Sequence, residues 1–487
     1  MIMTFNSIGF LIFLPIVSLL YFLLPKKCVW VLLLAASYFF YGYWNWKLLY
    51  LILFTTFVSY ICSILIEKTD SIKKRRLLLV ITLVVCLGVL FFYKYYGFLG
   101  DTVNGISSLF GGGEVLPALN LILPVGISFF TFQTLSYVID VYRGSIKAEK
   151  HFGYYALFVS FFPQLVAGPI ERPENLLPQL KTKNKFDKDN LFSGLSKMAV
   201  GFFKKIVVAD ILAEYVNAVF NDAANATGPT VVLATVLFSA QIYCDFSGYT
   251  DIATGCARIL GIKLMKNFDR PYSARSIRDF WRRWHISLTS WFTDYLYIPL
   301  GGSRRGNTRR MINIMIVFLV SGLWHGARWT FVIWGGLHGL FQVAAHLTKK
   351  PREAIYAKLK INTESKIFVL WQRFWTFALI CFSWIFFRGN SFSDVGLLLG
   401  ALGKGWGFSD ALASFDAIGF NLLAAVAACL SVYVMSRLDA ITDSVPCELE
   451  SARKGFVTLA YLVWTVAVAW LLLLSVGGSS SFVYFQF

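Results

Sequence analysis

Charged side chains are scarce in this sequence, and negative ones are the scarcest. Asp, Glu, Lys and Arg together make up 15% of the 487 residues, whereas 57% of residues are hydrophobic and 17% are aromatic. So little charge cannot cover the surface of a soluble protein, and apolar residues come in runs of 17 or more. Because a hydrocarbon core about 30 Å thick needs about 20 apolar residues per helix, the sequence predicts an all-α polytopic membrane protein with about 11–12 transmembrane helices.

Several familiar motifs are also missing. The eight cysteines are scattered, with no two closer than twelve residues, so neither a disulfide framework nor a zinc site is indicated, and we expect no metal and no bound cofactor. No His is followed five positions later by Asp, and the chain has neither a Gly-x-Ser-x-Gly elbow nor a phosphate-binding Gly-x4-Gly-Lys loop. These absences argue against soluble-type glycerolipid acyltransferases, serine hydrolases and ATP-driven pumps.

The charge that is present is strongly positive, with 45 basic against 27 acidic residues and a formal net charge of +18. Such basicity often indicates nucleic acid, but here the basic residues lie in short loops between apolar runs, where the positive-inside rule explains them and no nucleic-acid partner is expected. This pattern puts the N-terminus outside and predicts a multi-pass membrane protein. The predicted crossings are 8–24, 28–46, 48–66, 77–99, 119–139, 198–220, 230–257, a broken pair within 311–346, 367–387, 417–435 and 456–476.

Two apolar runs are interrupted in ways that an ordinary spanning helix does not tolerate. Residues 154–170 contain Pro163, Gly168 and Pro169, which predicts a re-entrant segment, with a kinked span as the alternative. Residues 311–346 would form a helix of roughly 54 Å and must break, most simply at 324–329. Non-helical backbone at membrane depth persists only where protein or a water-filled cavity surrounds it, so we expect a bundle around a central chamber.

Ionisable residues at membrane depth are candidates for function, and two histidines are the sharpest of them. His325 lies at the expected break beside Trp324, although a histidine that caps a broken helix is a structural alternative. His285 ends a Trp/Arg/His cluster that begins at Arg278, for which an interfacial aromatic belt is the alternative explanation.

The segment 258–310 carries twelve Lys or Arg residues against three acids, and we expect it to form a basic cytosolic loop region. Its arginines fit the phosphates of coenzyme A or of a phosphopantetheine arm, and they equally fit anionic lipid headgroups. The candidate phosphate ligands are Arg278, Arg282, Arg283, Arg304 and Arg305.

Six long stretches, in the same order, resemble the membrane-bound O-acyltransferase (MBOAT) family, in particular its bacterial alginate and peptidoglycan O-acetyltransferase branch, which is related to the teichoic acid D-alanyl transferases. The stretches are Phe5–Pro25, Leu123–Gly144, Phe162–Pro173, Gln241–Thr250, Asp279–Arg304 and Ser321–Gly339. The resemblance implies one MBOAT domain over 1–487, with His325 as the family's essential histidine and His285 as its second one.

The resemblance also implies a function: a membrane O-acyltransferase that moves an acetyl group from cytosolic acetyl-CoA to an extracellular polysaccharide. A partner of the SGNH-hydrolase type is expected outside. The extracytoplasmic tail 477–487 resembles an aromatic motif of the alanyl system, so Tyr484 is a possible acyl relay, with an aromatic plug as the alternative. Transfer of D-alanine or another acyl group from a carrier protein, a polysaccharide or lipid transporter, and a structural scaffold for a secreted acetylase are the rival functions.

Helical spacing adds a set of side chains that would line the chamber. Gln241, Asp245 and Tyr249 recur every four residues and so share one helical face. Trp284 and Trp324 adjoin the two histidines, where they would pack against the acyl or pantetheine arm, and packing within the bundle is the alternative for all five residues.

Overall fold

Long apolar runs make this chain helical almost throughout. The computed structural model describes Phe5 and residues 7–119, 121–166 and 168–419. Over these residues the chain forms twenty α-helices and no strand. The helices are α1 (Ile8–Leu23), α2 (Lys26–Asn45), α3 (Leu49–Lys68), α4 (Ile72–Leu90), α5 (Tyr96–Leu109), α6 (Ile127–Arg143), α7 (Phe152–Ser160), α8 (Phe162–Leu165), α9 (Pro173–Leu180), α10 (Lys188–Phe202), α11 (Asp210–Phe220), α12 (Gly228–Ile259), α13 (Ile277–Arg283), α14 (Ile286–Phe292), α15 (Asn307–His325), α16 (Trp329–Leu347), α17 (Lys349–Lys358), α18 (Lys366–Arg388), α19 (Phe392–Ala401) and α20 (Phe408–Ala417).

Four helices of the described part are long and apolar enough to cross a membrane: Trp46–Lys68, Ile72–Leu109, Gly228–Ile259 and Lys366–Arg388. Each of them contains a crossing predicted from the sequence. The prediction of an all-α polytopic membrane protein is thereby confirmed, whereas the count of 11–12 crossings stays a prediction. The crossing predicted over 456–476 and nearly all of 417–435 lie outside the described residues.

One boundary differs from the expected one for a local reason, and one expected interruption is present. The crossing expected at 119–139 becomes α6, which begins only at Ile127 because Gly126 adopts a left-handed φ of 74°. A Cβ on Gly126 would lie 2.5 Å from the Leu165 carbonyl oxygen, so the chain also passes too close for a side chain there. The run 154–170 is interrupted as expected, because α7 ends at Ser160 and α8 spans only four buried residues.

The described residues belong to two compact units, one comprising 1–198 with 249–266 and the other 199–248 with 267–487. In the first unit, the buried carboxylate of Glu171 accepts hydrogen bonds from the Asn175 side chain at 2.7 Å and from the Met265 backbone N–H. That carboxylate ties the loop before α9 to the segment after α12. The prediction of one domain over 1–487 stays a prediction.

In the second unit, α15 and α16 form a closely packed hairpin. A Cβ on Gly322 would lie 2.3 Å from the Phe331 carbonyl oxygen, and a Cβ on Gly335 would lie 2.2 Å from the Phe318 carbonyl oxygen. Small residues at such crossings let helix backbones approach closely, which is how membrane helices gain packing energy. The hairpin turns where the run length required a break, since α15 ends at His325 and α16 begins at Trp329.

Candidate active site

The turn between α13 and α14 places His285 inside the second unit. Helix α13 starts where the Ser276 hydroxyl accepts the Asp279 N–H at 3.1 Å, and it ends when Trp284 becomes extended. His285 then adopts φ 46° and ψ 55°, a left-handed conformation that costs a non-glycine residue about 1–2 kcal/mol. Its side chain is fully buried. Strain of this kind persists where the surroundings enforce it, and such strained residues cluster at functional sites.

Asn267 enforces that turn and also orients the imidazole of His285. The Asn267 side-chain oxygen accepts the Ser287 backbone N–H at 3.3 Å and the Ser287 hydroxyl at 2.9 Å, and its backbone carbonyl accepts the Ile286 N–H at 2.9 Å. Since a backbone N–H can only donate, the atom facing it must be the amide oxygen. The same oxygen lies 3.1 Å from Nδ1 of His285, which must therefore carry the proton.

The tautomer of His285 has a direct chemical consequence. With its proton on Nδ1, the neutral ring presents Nε2 as a proton acceptor. Burial lowers the pKa of His285 to about 3, so the neutral form persists throughout the physiological range. Sequence reasoning missed Asn267, because nothing in the sequence pairs it with a histidine eighteen residues later.

His325 lies at the end of α15 among aromatic rings. Its ring centroid is 4.9 Å from that of Trp324, 5.0 Å from Trp334 and 5.7 Å from Phe387, and its side chain is almost wholly buried. The ring of His285 lies 6.3 Å away, which brings together two histidines separated by forty residues of sequence. Both predicted histidines therefore belong to one cluster, although their roles stay predictions.

The neighbouring His338 is held on both sides. Its Nδ1 accepts the Trp281 indole N–H at 3.2 Å, and its Nε2 lies 3.0 Å from the Ser383 hydroxyl. Both ring nitrogens are thus engaged in bonds between α13, α16 and α18. This arrangement gives His338 a structural role.

The tryptophans expected to line a chamber pack around the histidines. Trp324 contacts His285 with ring centroids 5.9 Å apart, and Trp284 lies 5.6 Å from Trp384 and stacks on Phe280 at 5.4 Å. Trp324 therefore contacts the cluster directly, whereas Trp284 packs against aromatic rings next to it. Their contact with an acyl arm stays a prediction.

The predicted face of α12 is buried, and one of its residues carries an ion pair. The Asp245 carboxylate lies 2.7 Å from Nζ of Lys205, which also lies 3.0 Å from the carboxylate of Asp210. Phe246, the next residue on α12, contacts the His285 ring with centroids 4.7 Å apart. Gln241 is buried one turn before Asp245, on the same helix.

Tyr249, the third predicted lining residue, belongs to the first unit. There it is buried, and its ring lies 4.6 Å from that of Phe5.

Lys205 and its neighbour Lys204, which is also buried, are further residues that sequence reasoning missed. Both lie in a π-helical turn, Phe203–Ala209, of the kind that often marks functional segments. The sequence could have indicated these two lysines, because they lie inside the predicted crossing 198–220. A lysine at membrane depth is as costly as the histidines that were chosen as candidates.

Four of the five predicted phosphate ligands are exposed: Arg278, Arg282, Arg304 and Arg305. Arg278 and Arg282 are one turn apart on α13. Arg283 is only partly exposed, and its guanidinium donates to the Asp279 carboxylate at 2.9 Å and to the Asp269 carbonyl at 3.4 Å. Phosphate binding stays a prediction for all five, and the four exposed arginines are more accessible to a phosphate than Arg283 is.

The predicted relay residue Tyr484, like the whole tail 477–487, lies outside the described residues. Among the residues that are described, no group of three or more His, Cys, Asp or Glu side chains is placed to hold a metal ion.

Comparison with known proteins agrees with the sequence resemblance. The profile of the membrane-bound O-acyltransferase family matches residues 149–387, which include both histidines and Asn267. A probable alginate O-acetylase of Pseudomonas putida is 34% identical over the full length of both chains. A peptidoglycan O-acetyltransferase of Helicobacter pylori is 37% identical over 82% of this chain and 80% of its own length. A teichoic acid D-alanyltransferase of Bacillus subtilis is 29% identical over 57% of this chain and 71% of its own. The chain belongs to the membrane-bound O-acyltransferase family, as a multi-pass enzyme of the bacterial membrane.

Proposed function

We propose that this O-acyltransferase moves an acetyl group from acetyl-CoA on the cytosolic side to a hydroxyl of an extracytoplasmic polysaccharide. The observation that carries the proposal is the pair of buried histidines with ring centroids 6.3 Å apart. Relatives that match over four fifths or more of this chain include a probable alginate O-acetylase and a peptidoglycan O-acetyltransferase, which favours acetyl as the acyl group and a polysaccharide as the acceptor.

In the reaction, the acceptor hydroxyl attacks the thioester carbonyl while a neutral imidazole takes its proton. The tetrahedral intermediate then collapses, its carbon–sulfur bond breaks, and the thiolate receives that proton as it leaves as a thiol. We assign the base to His325. His285, whose own proton is held on Nδ1 by Asn267, presents Nε2 as a second proton acceptor in the same cluster.

The length of α15 supports an approach from two sides. Its first turn carries Arg309 and Arg310 of the basic segment, and its last residue is His325. Nineteen residues correspond to about 28 Å, close to the thickness of the hydrocarbon core. The acceptor would arrive at the end that carries His325, and the donor's phosphates would bind at the basic end, on Arg278, Arg282, Arg304 and Arg305.

We propose two further components outside the membrane. An SGNH-hydrolase-like acetyltransferase would receive the acetyl group and pass it to the polymer, and Tyr484 would relay the group on its phenolic oxygen. Replacing Tyr484 with Phe tests the relay directly. Unchanged acetyl transfer in Tyr484→Phe would leave that residue a packing role only.

The decisive experiment for the function replaces His325 with Ala and measures acetylation of the extracytoplasmic product. We expect activity to be lost while the protein stays folded in the membrane. His346→Ala is a matched control, because it removes a histidine of α16 that lies outside the cluster. Full activity in His325→Ala would refute the assignment, and equal losses in both variants would indicate a folding defect.

Transfer of D-alanine from a carrier protein is the second candidate, because a teichoic acid D-alanyltransferase is among the relatives. An assay that offers acetyl-CoA and an aminoacylated carrier protein to the same preparation separates the two. Turnover with the carrier alone would replace acetyl-CoA as the donor.

A further inference from the structure

The indole N–H of Trp334 is a buried hydrogen-bond donor that none of the described residues accepts. The side chain is fully buried on α16, and its ring centroid lies 5.0 Å from that of His325, with the two rings nearly perpendicular. Buried donors are almost always paired, because an unmade hydrogen bond costs free energy. This N–H beside the proposed base is therefore available to a bound substrate.

His338, one turn further along α16, cannot accept that N–H although the two rings lie 4.9 Å apart. Its Nδ1 already accepts the Trp281 indole N–H at 3.2 Å. The Ser383 hydroxyl donates to the Ile380 carbonyl at 2.7 Å, so Nε2 of His338, 3.0 Å away, donates to that hydroxyl. Trp281 and Trp334 thus belong to the same aromatic cluster, but only the N–H of Trp281 has a described acceptor.

Aromatic rings hold the Trp334 indole in place. It stacks on Trp384 with ring centroids 5.8 Å apart, and it lies 5.1 Å from Phe387. A donor that is fixed before the reaction stabilises a developing negative charge without having to reorient. The packing around Trp334 therefore suits its N–H to that task.

Thr330 supplies a second buried donor on the same face of α16. It precedes Trp334 by four residues, a spacing that puts Cβ atoms about 5–6 Å apart, and none of the described residues bonds to its hydroxyl. Both residues lie in the first two turns of α16, which begins at Trp329, four residues after His325. The first turn of a helix carries the positive end of its dipole, which favours an anion there. Two unpaired donors and this positive end therefore coincide beside the α15–α16 turn.

We infer that the Trp334 indole N–H, together with the Thr330 hydroxyl, forms the oxyanion hole for acyl transfer. The acceptor oxygen attacks the thioester carbonyl carbon while His325 takes its proton, and the π electron pair moves to the carbonyl oxygen. That oxyanion accepts hydrogen bonds from both donors, which keep their protons. Its collapse re-forms the C=O bond and expels the thiolate, which takes the proton from His325. This inference rests on the proposed function, because that function supplies the thioester and the base.

The test replaces Trp334 with benzothienylalanine, which keeps the shape of the ring and has sulfur in place of the N–H. Thiol release from acetyl-CoA is measured with the purified full-length protein in nanodiscs and a soluble polysaccharide acceptor. We expect kcat to fall about a hundredfold, since loss of one oxyanion donor costs about 10²–10³ in kcat. KM for acetyl-CoA should stay unchanged, because a bond made only in the transition state does not contribute to substrate binding. Thr330→Val, which removes the second donor at nearly constant shape, should also lower kcat at unchanged KM.

A second donor substrate separates an oxyanion contact from a packing role. In the dithioester analogue of acetyl-CoA the negative charge develops on sulfur, which accepts hydrogen bonds poorly. The wild type should prefer the oxygen thioester, and the Trp334 and Thr330 variants should lose most of that preference. Trp281→Phe is the matched control, because it removes a buried indole whose N–H is bonded to His338. It should lose stability but keep its kcat and its preference for the oxygen thioester.

Wild-type kcat in the benzothienylalanine protein would overturn the inference, as would an equal loss with the oxygen and sulfur donors. Thr330→Val gives the same comparison if the altered ring prevents folding. If the wild type takes acyl groups only from an aminoacylated carrier protein, and the Trp334 variant loses that turnover, the proposed function fails and the oxyanion hole stands. If the wild type transfers acetyl from acetyl-CoA and the variant does so equally well, the function stands and the oxyanion hole fails.

Discussion

The hydrogen bonds of Asn267 make the sharpest test of how the two histidines work. Replacing Asn267 with Ala removes the acceptor for Nδ1–H of His285, for the Ser287 N–H and for the Ser287 hydroxyl, all within 3.3 Å. The imidazole is then free to rotate and to move its proton to Nε2. We expect the protein to fold less stably and to turn over more slowly.

Both magnitudes follow from the contacts. A buried backbone N–H left without an acceptor costs about 1–3 kcal/mol, and loss of the hydroxyl bond adds about 1 kcal/mol, so we expect a total loss of about 2–4 kcal/mol in stability. If the bond to His285 holds the reactive tautomer and ring orientation by about 1–3 kcal/mol, kcat should fall about 5- to 150-fold. Asn267→Asp keeps an acceptor at the same place and should restore most of the activity.

The assay compares kcat at saturating donor with the unfolding free energy in detergent. Asn313→Ala is the matched control, because that asparagine is equally buried and donates to the Gly302 carbonyl at 3.0 Å, away from the histidines. It should lose stability but keep its kcat. The reasoning is refuted if Asn267→Ala keeps wild-type kcat while losing as much stability as Asn313→Ala.

Three other predictions follow from the second unit. Lys205→Met removes the cation beside the buried Asp245 carboxylate and should cost about 3–5 kcal/mol of unfolding free energy. Much of the loss should be recovered when Asp245 is also made apolar, and an unchanged unfolding curve would contradict this. Gly335→Leu forces a Cβ toward the Phe318 carbonyl and should separate α15 from α16. We expect lower thermal stability and slower acyl transfer, and wild-type values of both would rule out the close contact. Burial lowers the pKa of His285 from 6.5 to about 3, so the contribution of the neutral imidazole to stability is fully present above pH 6.5. The free energy of unfolding should fall by up to about 1.4 kcal/mol per pH unit as the pH drops from 6.5 towards 3. His285→Asn should remove this pH dependence.

The break in the apolar run 311–346 could be predicted from the sequence, because it follows from length and local chemistry. A helix over 311–346 would exceed the hydrocarbon thickness, and Gly326 with Arg328 offers a place to end it. The start of α6 at Ile127 was missed for an equally local reason. Pro124 and the left-handed Gly126 act against a helix that hydropathy alone would begin at residue 119.

The relation between the two histidines could not be predicted in the same way. A separation of forty residues sets no distance, and the 6.3 Å between the rings depends on how α13, α14 and the α15–α16 hairpin pack. The left-handed φ of His285 also has no sequence signal, since histidine only occasionally adopts it. The Lys205–Asp245 pair could have been predicted, because burying a charge at membrane depth costs free energy for lysine as it does for histidine.

Both histidines lie where a helix begins or ends. The backbone of a histidine in the middle of a helix makes both helical hydrogen bonds, so the direction of its side chain is fixed by the helix. At a helix end the backbone can change direction, and the side chain can then point into the protein. In lipid such ends are tolerated only when protein covers them. Here Asn267 binds the backbone beside His285, and the glycine contacts of α15 with α16 cover the end at His325. The packing that allows the helices to end at these two points therefore also brings the two imidazoles together. Substitutions at Gly322 and Gly335 should reduce activity both by displacing His325 and by lowering stability.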